Sequence, residues 1–170
     1  MNRPAEVFRD LIVWQKAHEF VLQTYKQTEQ FPRHERYWHV SLLDRGYSPV
    51  QASDPNITCS DLEPEISITA TPVIDRSAGP NGRIFVVVME TDGKQNYNYK
   101  LHALDLATGK DALTPVVIAA SITGQGPATT FKATRERSRS GLLLWNGIIY
   151  TAGAGFCDNP PFTGWILGYR

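Results

Sequence analysis

The chain has no net charge, no long apolar run and almost no cysteine. Lysine plus arginine and aspartate plus glutamate number 17 each over 170 residues. A chain so balanced lacks the whole-molecule basic field that draws in nucleic acid, and it carries no acidic tail. It also lacks the self-repulsion that keeps an apolar edge soluble. No stretch approaches the roughly 18–20 apolar residues of a membrane span, so no membrane partner is expected. Met1-Asn2-Arg3-Pro4-Ala5-Glu6 has neither the charged region nor the apolar run of a signal peptide, which predicts a cytoplasmic protein. The two cysteines, Cys59 and Cys157, are too far apart for a zinc knuckle or a Cys-x-x-Cys pair. In a reducing compartment they are expected to be free thiols.

What is present divides at Tyr37–Trp38. Before that point Val7, Leu11, Trp14, His18, Val21 and Tyr25 recur at steps of three and four, and Phe8, Ile12 and Leu22 widen the stripe. Arg9, Lys16, Gln23 and Lys26 lie mostly off it. The spacing predicts an amphipathic helix over 5–29, about 37 Å long at 1.5 Å per residue. Pro4 suits its start, and Phe31-Pro32 ends it. Trp14 is expected on the packing face, with His18 at its edge and no metal partner nearby.

After Trp38 the periodicity changes. An irregular connector occupies 38–65. Ile66–Asp75, Arg83–Thr91, Tyr97–Leu106 and Pro115–Ala120 are rich in β-branched and aromatic residues and read as strands. Gly141–Trp145, Ile148–Ala152 and Gly164–Tyr169 follow. Ser77–Gly82, Thr91–Lys94 and Ala107–Lys110 carry the Gly, Asn and Asp of turns. Gly82-x-Ile84-Phe85 is echoed by Gly147-x-Ile149-Tyr150, and Leu101–Leu104 by Ile166–Tyr169, both at an offset of 65. Such a repeat signals stacked sheet units, with polar Ser121–Ser140 as an inserted loop.

Both parts resemble known families. Phe8-Arg9-Asp10-Leu11-Ile12-Val13-Trp14-Gln15-Lys16-Ala17, Tyr25-Lys26-Gln27-Thr28 and Phe31-Pro32-Arg33-His34-Glu35-Arg36-Tyr37 resemble the opening of a four-helix-bundle family. That family includes proteins encoded within intervening sequences of large-subunit ribosomal RNA genes. The likeness covers one helix of four, and the family implies no catalytic site. Ile68-Thr69-Ala70-Thr71-Pro72-Val73-Ile74-Asp75 and Leu101-His102-Ala103-Leu104-Asp105-Leu106-Ala107-Thr108-Gly109-Lys110 are similar to the pyrroloquinoline-quinone-like repeat of quinoprotein-type β-propellers. Trp38-His39-Val40-Ser41 and Cys157-Asp158-Asn159-Pro160-Pro161-Phe162-Thr163-Gly164-Trp165 resemble a bacterial branch of that group, whose relatives leave export open.

The resemblances imply a fusion or a truncated remnant. Residues 1–37 would be an N-terminal amphipathic helix, a four-helix-bundle-like fragment, and 38–170 a partial quinoprotein-like β-propeller. The fold class expected is mainly β: about two incomplete antiparallel blades preceded by one long N-terminal α-helix. A complete propeller normally has four or more blades. The second unit here stops at Gly168-Tyr169-Arg170, before a fourth strand, and Arg170 stands where the related pattern has an acid. Quinoprotein enzymes bury their cofactor in a closed ring with calcium, a catalytic acid and often an adjacent disulfide. No residue here matches those positions, so no catalytic, cofactor-binding or metal residue and no cofactor is expected.

Four local features have ordinary structural readings. Asp105 is expected to accept backbone N–H groups across the Ala107–Gly109 turn, with Gly109 supplying positive φ. Asp61, Glu63 and Glu65 alternate as calcium ligands would, but calcium sites gather more oxygens than these. Lys132, Arg135, Arg137 and Arg139 lie in a stretch read as an exposed loop (129–140), interrupted by Glu136 and without the footprint of a nucleic-acid site. Cys157–Pro161 has no base in reach for nucleophilic catalysis and reads as a proline-stiffened loop. The sequence therefore points to a non-enzymatic interaction or remnant protein that self-associates through open sheet edges or the N-terminal helix, and binds neither nucleic acid nor membrane. The alternatives are an oligomerising module completed by self-association and a partial quinoprotein-like enzyme fragment.

Overall fold

A computed structural model describes residue 19 and residues 38–57, 64–124, 128–158, 160 and 163–170. The chain divides into two units, Met1–Tyr37 and Trp38–Arg170. The predicted helix over 5–29, with Trp14 and His18, lies outside the described residues apart from Glu19.

The described strands are β1 (Val50–Gln51), β2 (Glu65–Ile66), β3 (Val73–Asp75), β4 (Arg83–Thr91), β5 (Tyr97–Asp105), β6 (Val116–Val117), β7 (Ser121–Ile122), β8 (Thr129–Thr130), β9 (Glu136–Ser138), β10 (Leu143–Trp145), β11 (Ile148–Gly155) and β12 (Trp165–Tyr169). A short 3₁₀ turn, Phe156–Asp158, separates the last two. The expected fold class is overturned. Among the described residues no element longer than the single helical residue Glu19 is α-helical, and the strands form four separate open sheets. One reason is that prolines cut the strands short. Pro72 restricts the predicted Ile66–Asp75 strand to β2 and β3, and Pro115 precedes a β6 of only two residues.

The molecule is organised on the β4–β5 hairpin. All nine residues of each strand pair, from Arg83↔Asp105 to Thr91↔Tyr97. At the turn Asp92 Oδ1 accepts the N–H of Lys94 (2.9 Å) and of Asn96 (3.1 Å). β3 adds to β4 and β6 to β5, giving the order β3-β4-β5-β6. One face of the hairpin presents Val87, Met89, Tyr99 and Leu101 to Val50, Ile57, Ile66, Ile118, Leu142, Ile149 and Phe156. The other presents Val86, Val88 and Leu104 to a strap carrying Trp38, Leu42 and Leu43. Burial on both faces explains the nearly unbroken apolar run Ile84–Met89. Each such side chain contributes roughly 1.5–3 kcal/mol.

In the second four-stranded sheet β11 pairs with β12 on one side and with β10 and β9 on the other. Trp145 pairs with Ile148 across Asn146 (φ 50°) and Gly147 (φ 71°), the doubly left-handed two-residue turn that Asn-Gly favours. The offset of 65 reappears as register. Ile84 faces Leu104 as Ile149 faces Tyr169, and Phe85 faces Ala103 as Tyr150 faces Gly168. The central hairpins of the two sheets are therefore equivalent. The interval 121–140 is not one loop: it holds β7, β8 and β9, and Glu136 and Ser138 are buried.

Asp105 has the turn-forming role read from sequence. Its Oδ1 accepts the N–H of Ala107 and of Thr108, both at 3.0 Å, and Asn81 donates to Oδ2 at 2.8 Å. The Asn81 bond foremost, with those of Thr108 and Ala107, outweighs the effect of burial and holds its carboxyl below the ordinary range. Gly109 closes the turn at φ +68° and lies under the Trp38 indole, whose Nε1 donates to the Leu106 carbonyl at 2.8 Å. A Cβ at Gly109 would come 2.4 Å from Trp38 Cδ2. Gly147 has a similar φ, +71°, but open space around it. Gly147→Ala is therefore expected to cost about 1–2 kcal/mol from backbone conformation alone. Gly109→Ala should cost more, because Trp38 must also leave its seat. Urea unfolding of the two variants compares them, and equal losses would show that the strap yields without penalty.

Candidate functional site

Two strands that read as apolar each carry a charge into the interior. Glu90 of β4 is fully buried and Lys100 of β5 nearly so. Lys100 Nζ lies 2.7 Å from Glu90 Oε1 and also meets the Asp44 carboxylate. The Asp44 N–H donates to Glu90 Oε2 at 2.8 Å, and the Tyr47 ring centroid is 5.7 Å from the ammonium. Burial works against the charge on Lys100, but the hydrogen bonds it donates to Asp44 and Glu90, and their charges, outweigh it and raise its pKa. Chemically this is a closed ion cluster. The ammonium is held protonated, so it is neither a nucleophile nor a base.

His102 and Asp111 form a second pair, Nδ1 to Oδ1 at 3.0 Å. The opposite ring nitrogen, Nε2, is buried without a hydrogen-bond partner among the described residues. A general base must reach the proton it takes, and His102 is only 2% exposed. A third cluster gathers under β12. Tyr99 and Trp165 each pack edge-on against Phe131, at centroid distances of 6.2 and 6.0 Å. Glu136 is buried beside Trp165, and its Oε2, the Tyr99 hydroxyl and the Trp165 indole N–H make no hydrogen bond of ordinary geometry among the described residues. Burial raises the Glu136 pKa, with the Trp165 indole and the Arg135 charge pulling the other way. Burial likewise pushes the Tyr99 phenol well above its ordinary value.

The structure scatters the residues singled out in the sequence. Asp61 and Glu63 lie outside the described residues, and Glu65 is exposed on β2 against Gln51. Among the described residues no group of three or more His, Cys, Asp or Glu is placed to hold a metal. The basic run is not an exposed loop. The Lys132 carbonyl accepts the N–H of Arg135 and Glu136 in a turn, and Arg137 enters β9 opposite Ala154. Cys157 is disulfide-bonded and so is no free thiol, which corrects the expectation from composition. The chain's other cysteine, Cys59, lies outside the described residues. Among the described residues no helix is long and apolar enough to cross a membrane.

Two surface features remain. A cleft of about 200 Å³ opens between the two four-stranded sheets, walled by Phe85, Leu101, Leu144 and Ile149 and rimmed by Arg83 and Asp75. The Asp75 carboxylate already accepts the Ser77 hydroxyl (2.6 Å) and N–H (2.8 Å), which, ahead of the nearby Arg83 charge, hold its pKa low. The second feature is the outer edge of β12. On β5 the corresponding edge is occupied: the Tyr99 carbonyl accepts the Ile118 N–H at 2.7 Å and the Ala103 carbonyl the Ala112 N–H at 2.8 Å. An offset of 65 maps Leu101 and Ala103 onto Ile166 and Gly168, whose outward N–H and C=O groups have no backbone partner among the described residues. Ile166 is 78% exposed, and Leu143 and Trp145 of β10 are 58% and 61% exposed. Compared with family models, curated proteins and solved structures, the chain shows no significant match.

The buried charges generate two expectations. Lys100→Met strands Glu90 in the interior and should cost about 3–5 kcal/mol, of which the double variant Glu90→Leu/Lys100→Met recovers most. Chemical denaturation of the three proteins tests this, and a double variant no better than the single would show that packing, not charge, sets the loss. Glu136 binds its proton more tightly in the folded chain than in the unfolded one. Its effect is therefore nil below the ordinary carboxylate range and increasingly destabilising as pH rises through the raised pKa. Glu136→Gln should raise stability at neutral pH and flatten that part of the stability–pH curve, and an unchanged slope would assign it elsewhere.

Proposed function

We propose that this protein is a non-enzymatic interaction module whose open strand edges, rather than a reacting centre, carry its function. The observation behind the reading is the contrast, among the described residues, between two equivalent strands: β5 is paired on both sides, β12 on one. An unpaired edge with a large apolar residue on its outer face is a template for another strand. The polar clusters support the same reading. Lys100 is locked by two carboxylates, and His102 is sealed from any substrate. The likeness of 68–75 and 101–110 to the quinoprotein-type repeat, together with the matched register, supports descent of this unit from a duplicated sheet.

Light scattering at micromolar concentration tests the reading. A species larger than the 19.0 kDa monomer is expected. A monodisperse 19.0 kDa particle would overturn it, and dye reduction on adding pyrroloquinoline quinone with calcium would favour an enzyme fragment instead.

A further inference from the structure

Resting on that reading, the geometry points to one occupant for the β12 edge: the β12 strand of a second copy, paired antiparallel about a two-fold axis at Leu167. The outward backbone groups of β12 belong to Ile166 and Gly168, because the matching β5 positions Leu101 and Ala103 lie on the side that faces β6 and the Asp111–Ala112 segment. A two-fold axis at Leu167 sets Ile166 of one copy opposite Gly168 of the other. Each N–H then meets the opposing C=O, in two reciprocal pairs of bonds. Every outward group of the two residues is satisfied, and the interface is closed, so it gives a dimer and not a fibre. A shift of the axis by one residue, to Ile166 or Gly168, keeps one reciprocal pair at the axis but sets the other residue opposite Gly164 or Arg170, outside β12.

Side chains and charge fit the same axis. The exposed Ile166 lies beside glycine, where nothing on the opposing strand competes for its space. Gly168 is itself covered by Ile148 and Tyr150, whose side-chain atoms lie 3.1 and 3.2 Å from where a Cβ would be, so this face is already apolar. Arg170 is the one charged residue of 163–170. The two-fold places the two copies of Arg170 at opposite ends of the paired strands, roughly 20 Å apart at 3.3 Å per residue. That exceeds the screening length of about 8 Å at physiological salt. With 17 charges of each sign overall, no net repulsion opposes the approach of a second copy.

At the axis the two Leu167 residues form a non-hydrogen-bonded pair, with Cα atoms about 4.5 Å apart, a spacing a disulfide spans. Leu167→Cys in the full chain, under mild oxidation, is expected to give a covalent dimer on a non-reducing gel, with Ile166→Cys crosslinking far less. Ile166→Pro removes an outward N–H without touching the bonds to β11, as edge strands allow. It should halve the mass seen by light scattering to the 19.0 kDa monomer while leaving the near-ultraviolet circular dichroism of the fold unchanged. A wild-type chain that associates while Leu167→Cys fails to crosslink, or Ile166→Pro remains dimeric, overturns this interface and leaves the edge reading standing. A monomeric wild type overturns both.

Discussion

The nine-residue pairing of β4 with β5 is the constraint on which the rest depends. Each strand buries both faces, so the hairpin is a wall between two apolar layers. Neither layer is self-sufficient. The larger borrows Val50, Ile57 and Ile66 from short β1, β2 and their turns, Ile149 from the second sheet and Phe156 from the 3₁₀ turn that follows β11. The smaller is a strap with hardly any regular structure of its own. A three-residue strand such as β3 has too few hydrogen bonds to persist alone. It is held because Val73, Ile74 and Asp75 find a preformed partner in Phe85, Ile84 and Arg83.

The strap shows how a segment without secondary structure is fixed in place. Trp38 anchors one end through Leu106 and Gly109, and Asp44 and Tyr47 anchor the other through Glu90 and Lys100. A buried ion cluster is a poor source of stability, since desolvation offsets most of its Coulomb energy. It is a strong source of position. Losing Lys100 or Glu90 leaves a charge in the interior, and losing the half-exposed Asp44 takes one carboxylate from Lys100, so displacing the strap weakens the cluster more than the cluster adds to net stability.

Legibility in the sequence followed locality. Arg83–Thr91 was readable to the residue because double-sided burial produces a long β-branched run bounded by turn chemistry. The Asp105 turn was readable because its donors lie two and three residues away. The duplicated hairpin was readable because register preserves spacing. The helix-plus-blades fold class was misjudged, and so was 121–140, where polar composition concealed β7, β8 and β9. β9 is held by distant partners: Gly153–Gly155 of β11, and the Thr69 hydroxyl on the Ser138 carbonyl. The ion cluster was invisible for the same reason, since Asp44 lies 46 residues from Glu90 and 56 from Lys100. A Glu and a Lys within otherwise apolar strands were the available signal, and a diagonal cross-strand pairing would have turned it into an expectation.

The same locality bears on the open edge. Edge strands in stable monomers are protected by charges, prolines, bulges or a covering segment. β6 follows Pro115 and is only two residues long, and β3 ends in Asp75 opposite Arg83. β12 has none of these within it: Trp165-Ile166-Leu167-Gly168-Tyr169 is uncharged and proline-free, and its residues pair regularly with Ile149–Gly153. Gly168 is retained where Tyr150 lies across it, an arrangement that steadies a glycine in a strand instead of blunting it. Were this edge meant for water, a lysine in place of the exposed Ile166 would interrupt nothing in the core. An apolar residue at that position, on the one strand of the duplicated hairpins paired on a single side among the described residues, fits the proposal that this surface joins another strand.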